Sequence, residues 1–389
     1  MRGFFPRYYP LLLGGTKIPY WVLGAAGGYP ASIDMNFAAG LYYGRTPADL
    51  TVTRATPTLA YANTTSGVLQ GFAPNTARIT DLGLLVEEAR TNVVLWNRDL
   101  TNVAWVPVNV TAALDQVGAD GTANSASSLT ATVANGTILQ TIVLASSARF
   151  QSAFVRRLVG TGVINMTMDG GLTWTPITVT SSYTQLSIPT QTLANPIVGF
   201  QIVTSGDSIA IDFIQNENGI SATSPMSVTT GAITRAAEVI VLTSPAFGTS
   251  YSIYSQGIPN SPTNYGASQF AISLDSGSAT NRLFLGRAVT TGVAFAQNTS
   301  ASVTTNLVGA GWSQNTSGKS AVATATGSQA FAFDGGSPVT GAGNLPIGVA
   351  NVRVGSNGGT AQWNGYLARL AIWPSIRLPN VELQVITSP

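Results

Sequence analysis

Two long stretches of the chain run through short segments in which apolar and polar residues alternate. Between residues 95 and 235 they include GTILQTIVLAS and SIAIDFIQNENG; from 236 onward they include AAEVIVLTS, SYSIYSQG, QAFAFDGG and NGYLARLAIW. Alternation with period two predicts strands half-buried in a sheet, and turn residues at about 8–12-residue spacing predict sandwiches or barrels. An apolar period near 3.6 residues is confined to two short stretches, Leu84–Thr91 and Pro379–Ile386, which are the predicted helical turns. No fixed-period repeat is present, which disfavours a propeller or solenoid. The pattern predicts an all-β chain: two jelly-roll-type β-sandwich domains, at 95–235 and 236–389, preceded by an extended N-terminal arm (1–50) and a short β junction (51–94).

Composition supports this and narrows the function. Of 389 residues, 44% are apolar and 9% are charged, against about 25% charged in an ordinary domain. Ser, Thr, Asn and Gly take the place of the missing charge and disfavour helix. The formal net charge is +2, and the basic residues are scattered, so there is no phosphate-tracking stripe and nucleic acid is not an expected partner. Nearly all of them are Arg, with only Lys17 and Lys319 as lysines. Arg suits bidentate pairing at interfaces, which leans towards a homo-oligomer, with a trimer as the first expectation. Cys and His are absent. That excludes disulfides, thiolate and imidazole metal sites, Cys nucleophiles and Ser-His-Asp triads.

The first 29 residues are apolar and aromatic, but Arg7, Lys17, Pro6, Pro10 and Pro19 interrupt every run. The runs fall short of the roughly 18–20 residues of a membrane span and of a signal-peptide core, so no membrane is expected. The segment reads as an arm that docks through anchoring aromatics, Phe4, Phe5, Tyr8, Tyr9, Tyr20 and Trp21.

Thr167-Met-Asp169-Gly-Gly171-Leu-Thr173-Trp174 resembles the Asp-box of sialidase propellers and other β proteins. The resemblance implies a structural hairpin turn, with the Asp169 side chain on backbone N–H groups and Trp174 over the base. Farther on, Val352–Ser356, Gln362–Trp373 and Leu378–Leu383 resemble the closing strands of concanavalin/laminin-G-like jelly rolls. LLVEEARTN at 84–92, with Thr51–Thr56, Gly67–Gln70, Ala77-Arg78 and the opening MRGFFPRYYPLLLGG, resembles tailed-bacteriophage and prophage virion proteins. In those the segment leads into a carbohydrate-binding-module-like sandwich, here placed at 95–235. The resemblances imply a fibre, spike or decoration protein that displays glycan-binding sandwiches for host attachment. Its partners would be other virion proteins and host surface polysaccharide, and its place the virion, assembled in the host cytoplasm. The alternatives are a cement protein without ligand and a polysaccharide depolymerase.

No catalytic residue is expected. Glu87 and Glu88 are adjacent, and one of them is expected to pair with a buried Arg such as Arg54 or Arg78, with Arg90 as a further partner. Asp169, Asp207, Asp212 and Glu217 are the carboxylates that could flank a sugar bond. Asp207 lies in a turn, and Asp212 is expected to face away from Ile209, Ile211 and Phe213, so both read as solvated or turn carboxylates. No cofactor is required; Asp115 and Asp120-Gly121 are a weak Ca²⁺ candidate without EF-hand spacing. Aromatic rings can stack on sugar faces, and the candidates are Tyr254, Tyr265, Trp312, Trp363 and Tyr366, beside Tyr251. Trp312, in a Gly-rich segment, is the best loop candidate, whereas Trp363 and Trp373 also fit a core role.

Overall fold

The structure is a computed structural model that describes residues 28–56, 59–262 and 266–389. The six anchoring aromatics and Tyr265 lie outside the described residues. The chain is all β, and among the described residues it has one α-helix, Asn380–Thr387.

The middle of the chain forms a sandwich of two antiparallel sheets. One runs in the order Val110–Gln116, Ala126–Ala131, Ser208–Asn218, Ser147–Val159, Thr184–Leu193; the other Thr175–Ile177, Ile164–Thr167, Ile197–Ile202, Gly136–Thr141, Val106–Val108. The alternating residues meet between them: Leu129, Val155, Ile209 and Ile211 from the first sheet pack on Ile138, Met166, Phe200 and Ile202 from the second. One prediction fails locally. A β-bulge on Ser208–Asn218 puts Phe213 at a φ of 46°. Ile214 therefore enters the core in its place, and Phe213 turns outward against Tyr61 and Phe154. One extra residue reverses the side-chain phase.

The second sandwich is larger and not contiguous in sequence. Its first sheet runs Val303–Gly311, Val293–Ser300, Arg282–Arg287, Gln269–Asp275, Asn351–Val354, Val239–Leu242, Leu50–Thr53. The second runs Leu41–Tyr43, Ile33–Asn36, Gly365–Trp373, Ser250–Pro259, Gly318–Ala325, Ser328–Phe333, Val339–Gly341, and Gly83–Val86 also pairs with Gly365–Trp373. Residues 33–53, expected as arm and junction, are thus strands of this sandwich. Ile33 and Met35 alternate into its core with Phe37, Leu84 and Val86, and Ile33–Asn36 pairs in register with Ile372–Arg369. The Arg369 Nε donates to Asp34 at 2.7 Å on the same pair of strands. Two strands that contact near the end of the chain at this sequence separation leave no trace in local periodicity.

The stretch Leu84–Thr91, expected to be helical, is extended, as strands Gly83–Val86 and Arg90–Asn92. Leu84, Leu85 and Val86 are all buried. A strand covered on both faces reads as a continuous apolar run, which periodicity cannot separate from a helical turn. Gly83 opens it because a Cβ there would come within 2.4 Å of the Leu367 carbonyl oxygen. The helix expected at Pro379–Ile386 does form. Its Leu383 and Ile386 lie on Ala321, Ala323, Ala330, Ala332 and Leu378, a sheet face of small side chains that lets the helix approach closely.

The order of strands makes the middle sandwich an insertion. The chain leaves the larger sandwich through Arg90–Asn92 and returns through Ile233–Arg235, and these two pair with each other, Arg90 opposite Arg235. The hairpin Ala60–Ala62/Gln70–Phe72 sets Tyr61 and Leu69 on the outer face of the inserted sandwich beside Phe213.

If Ile33–Asn36 is part of the core, Met35→Ala, at a position with no exposure, should cost about 2–5 kcal/mol. Urea unfolding should show the lower midpoint; an unchanged midpoint would mean that this strand carries none of the stability.

Candidate functional site

The neck between the sandwiches is closed by a buried chain of ions. Arg54 Nη1 lies 3.1 Å from Glu238 Oε1, and Arg78 Nη2 lies 2.7 Å from the same oxygen. Arg78 Nη1 is 2.8 Å from Glu87 Oε2, and Arg235 Nη2 is 3.4 Å from that oxygen. Each residue sits at the end of a strand that enters or leaves the neck. The remaining lone pairs are filled by short local donors: the Ser224 N–H and hydroxyl donate to Glu87 at 2.8 and 2.6 Å, and the Glu87 N–H donates to Glu238. Burial alone would raise the Glu87 carboxyl, but Arg235, Arg78 and the Ser224 donors hold it down at about 2. Glu88 pairs with Arg90 at 2.7 Å on the outer side of the neck. The expected Glu–Arg contact is therefore present for Glu87 with Arg78, whereas Arg54 reaches Glu238. Glu238 and Arg235 were not anticipated, although a single Glu preceding the apolar run VIVL is a visible signal.

Above this cluster a cleft of about 560 Å³ opens between the sandwiches. The inserted sandwich lines it with Phe150, Gln185 and Ser187 and the return segment with residues 220–224. The larger sandwich and the junction contribute Asn63, Leu82, Leu85, Ile258, Asn260, Gln314, Asn315 and Tyr366. Glu87 is the carboxylate of its floor. The wall carries both donors and acceptors on amide and hydroxyl groups with a few apolar faces, a lining that can answer the hydrogen-bonding groups of a polar ligand.

The sequence-predicted aromatic platform is corrected by burial. Trp312 and Trp363 are buried between the sheets of the larger sandwich, and Tyr254 is buried on the sheet face that the helix covers. The Trp312 ring is 4.7 Å from Trp363 and 5.0 Å from Phe333, and its Nε1 donates to the Thr316 carbonyl. The Trp363 Nε1 donates to the Tyr366 carbonyl. Tyr251 is also core. Tyr366 alone of the described candidates lines the cleft, with its hydroxyl accepting the Asn63 N–H at 2.8 Å. The Gly-rich flanks of Trp312 signal a close approach to Gly318, not an exposed loop.

The carboxylates read as solvated are also corrected. Asp212 has no exposure; Arg98 donates to it through Nε at 2.7 Å and Nη2 at 3.1 Å, and the Ala119 N–H adds a third bond. Burial pushes its carboxyl up to about 6 against the pull of Arg98. Asp120, offered as a Ca²⁺ ligand, gives both oxygens to the same guanidinium, which lies 3.9 Å over the Phe213 ring. Asp115 accepts from Gln116. Among the described residues no group of three or more acidic side chains is gathered for a metal. Asp207 accepts the Gly162 N–H at 2.6 Å and faces Arg157 at 3.4 Å. Glu217 is wholly buried, holds the Thr223 hydroxyl at 2.6 Å, and has its carboxyl raised by burial. In the Asp169 turn the Thr167 hydroxyl and the Thr173 N–H donate to Asp169 Oδ1 at 2.8 and 2.9 Å, and Trp174 packs on Gly171.

Glu87→Gln should destabilise the protein by about 3–5 kcal/mol, because it leaves Arg78 and Arg235 short of a counter-charge in a dry site. A carboxyl held at about 2 against an ordinary 4.5 adds stability above pH 4.5 that is lost as the pH falls towards 2, roughly 3 kcal/mol in all. Denaturant midpoints measured from pH 6 to pH 2.5 should fall less steeply in the variant than in the parent; parallel curves would contradict the assignment.

No protein-family profile matches the sequence, and no curated protein matches it. Comparison with solved structures finds the CBM40 module of the Ruminococcus gnavus IT-sialidase bound to α2,3-sialyllactose, 17% identical over 37% of this chain and 84% of that one, with a TM-score of 0.31. Domains LG4-5 of the mouse laminin α1 chain are 9% identical over 62% of this chain and 85% of that one, with a TM-score of 0.24. The CBM22-1–CBM22-2 tandem of Paenibacillus barcinonensis Xyn10C is 10% identical over 75% of this chain and 95% of that one, with a TM-score of 0.26. At these values the likenesses carry nothing about ligand or activity.

Proposed function

We propose that this chain is a non-catalytic, glycan-binding structural protein of a tailed-bacteriophage particle, and that it holds host-surface saccharide in the cleft between its sandwiches. The observation that carries the binding role is the cleft itself. Its volume suits a few sugar rings, its walls are amides and hydroxyls with apolar patches at Phe150 and Ile258, and its floor is fixed by the ion cluster. A site prepared in this way loses little freedom on binding. The virion role rests on the sequence: the LLVEEARTN segment, the aromatic arm and the charge-poor composition. Weak single-site binding becomes effective when many copies, here read as trimers, face one surface. Assembly takes place in the host cytoplasm, with the chain carried on the finished particle.

Hydrolysis is the poorer reading. Glycosidases set two carboxyl groups about 5–10 Å apart around one bond. Glu87 lines the cleft but is held ionised by two arginines, and Glu217 is sealed beneath Thr223.

Ser187 is exposed on the cleft wall. Ser187→Trp should fill the groove and weaken binding to host-surface polysaccharide by about tenfold or more without moving the melting temperature. Equal binding by the variant would remove the cleft from the reading. Deleting residues 1–27, which spares every described strand, should abolish incorporation into particles scored by immunoblot; normal incorporation would contradict anchoring through the arm.

A further inference from the structure

We infer that the cleft selects neutral saccharide chains, above all those bearing acetamido groups, and rejects chains that carry carboxylates. This rests on the reading of the cleft as a glycan site and adds its specificity. Among the described residues no Lys or Arg lines the cleft. Arg78 and Arg235, which lie beneath the cleft beside Glu87, have no exposure and are turned to Glu87 and Glu238. Both guanidiniums are committed to these two carboxylates, so neither reaches the cleft as a counter-ion.

A uronate or sialate carboxyl entering this groove would give up its water and find no counter-ion, which is costly for any charge leaving solvent. A neutral sugar avoids this penalty. The carboxamides of Asn63, Asn260, Gln314 and Asn315 each carry an N–H₂ donor and a C=O acceptor. An acetamido group presents an N–H and a C=O on opposite sides of a planar trans amide, so carboxamides on two walls of the cleft can answer its N–H and its oxygen. Its methyl group fits the apolar surface that Leu82, Phe150 and Ile258 bring to the same walls.

Titration calorimetry on the full chain tests this with fully N-acetylated chitotetraose, cellotetraose, mannotetraose and a mannuronate tetramer. At least one neutral tetramer should bind, about tenfold or more tighter than the mannuronate, and Ser187→Trp should remove that binding. Gln314→Arg, at an exposed wall position, should raise the mannuronate affinity about threefold or more by supplying the missing cation. Mannuronate binding equal to or tighter than every neutral tetramer, and lost in Ser187→Trp, would overturn the specificity and leave the glycan cleft standing. Silence of all four tetramers at millimolar concentration would overturn both.

Discussion

The arrangement of the two sandwiches depends on the ion chain Arg54–Glu238–Arg78–Glu87–Arg235 at the neck. Its members come from the strands on either side of the insertion, so the charges join segments that sequence keeps far apart. Guanidinium and carboxylate pay a large desolvation cost in such a place. Here that cost is offset because the lone pairs of Glu87 are also filled by Ser224 and because Arg54 donates to the carbonyls of Thr76 and Ala73. An apolar neck of equal volume would pack as well but would accept several registers. The forked geometry of Arg accepts few, which fixes how the segments that lead into and out of the insertion sit against each other.

A second guanidinium repeats the principle on the inserted sandwich. Arg98 ties Asp212 on the central strand to Asp120 in a loop and to the ring of Phe213, under the cover of Tyr61. The scarcity of charge in the composition thus has a structural meaning: much of it is placed inside, as cross-ties. The outside is left to hydroxyl and amide side chains, which hydrogen-bond over short range and exert little field at a distance.

The all-β class and the terminal helix were legible because each follows from local period. That one of the adjacent Glu87 and Glu88 would meet a buried Arg was legible, because neighbouring side chains can point in opposite directions; which Glu, and which Arg, was not. Strand Ile33–Asn36 was not, since alternation reveals a strand but not its neighbour, and the neighbour here is Gly365–Trp373. The bulge at Phe213 was hidden for a related reason: one residue in the left-handed region changes the face of all that follows, and Phe gives no warning of it. Trp312 and Trp363 show the limit for aromatics. The same ring that can stack on a sugar can stack on another ring, and only the Gly residues packed around it decide which.

The topology also orders events during synthesis. The inserted sandwich is continuous from Val106 to Asn218 and has all its pairing partners once that stretch has been made. The larger sandwich cannot close until Gly365–Trp373 arrives, since that strand receives Ile33–Asn36 on one side and Ser250–Pro259 on the other. Ile33, Met35 and Leu84 must therefore wait, uncovered, through most of translation. A nascent chain of this design carries a finished domain beside a half-built one, and chaperone dependence would fall on the older, N-terminal strands.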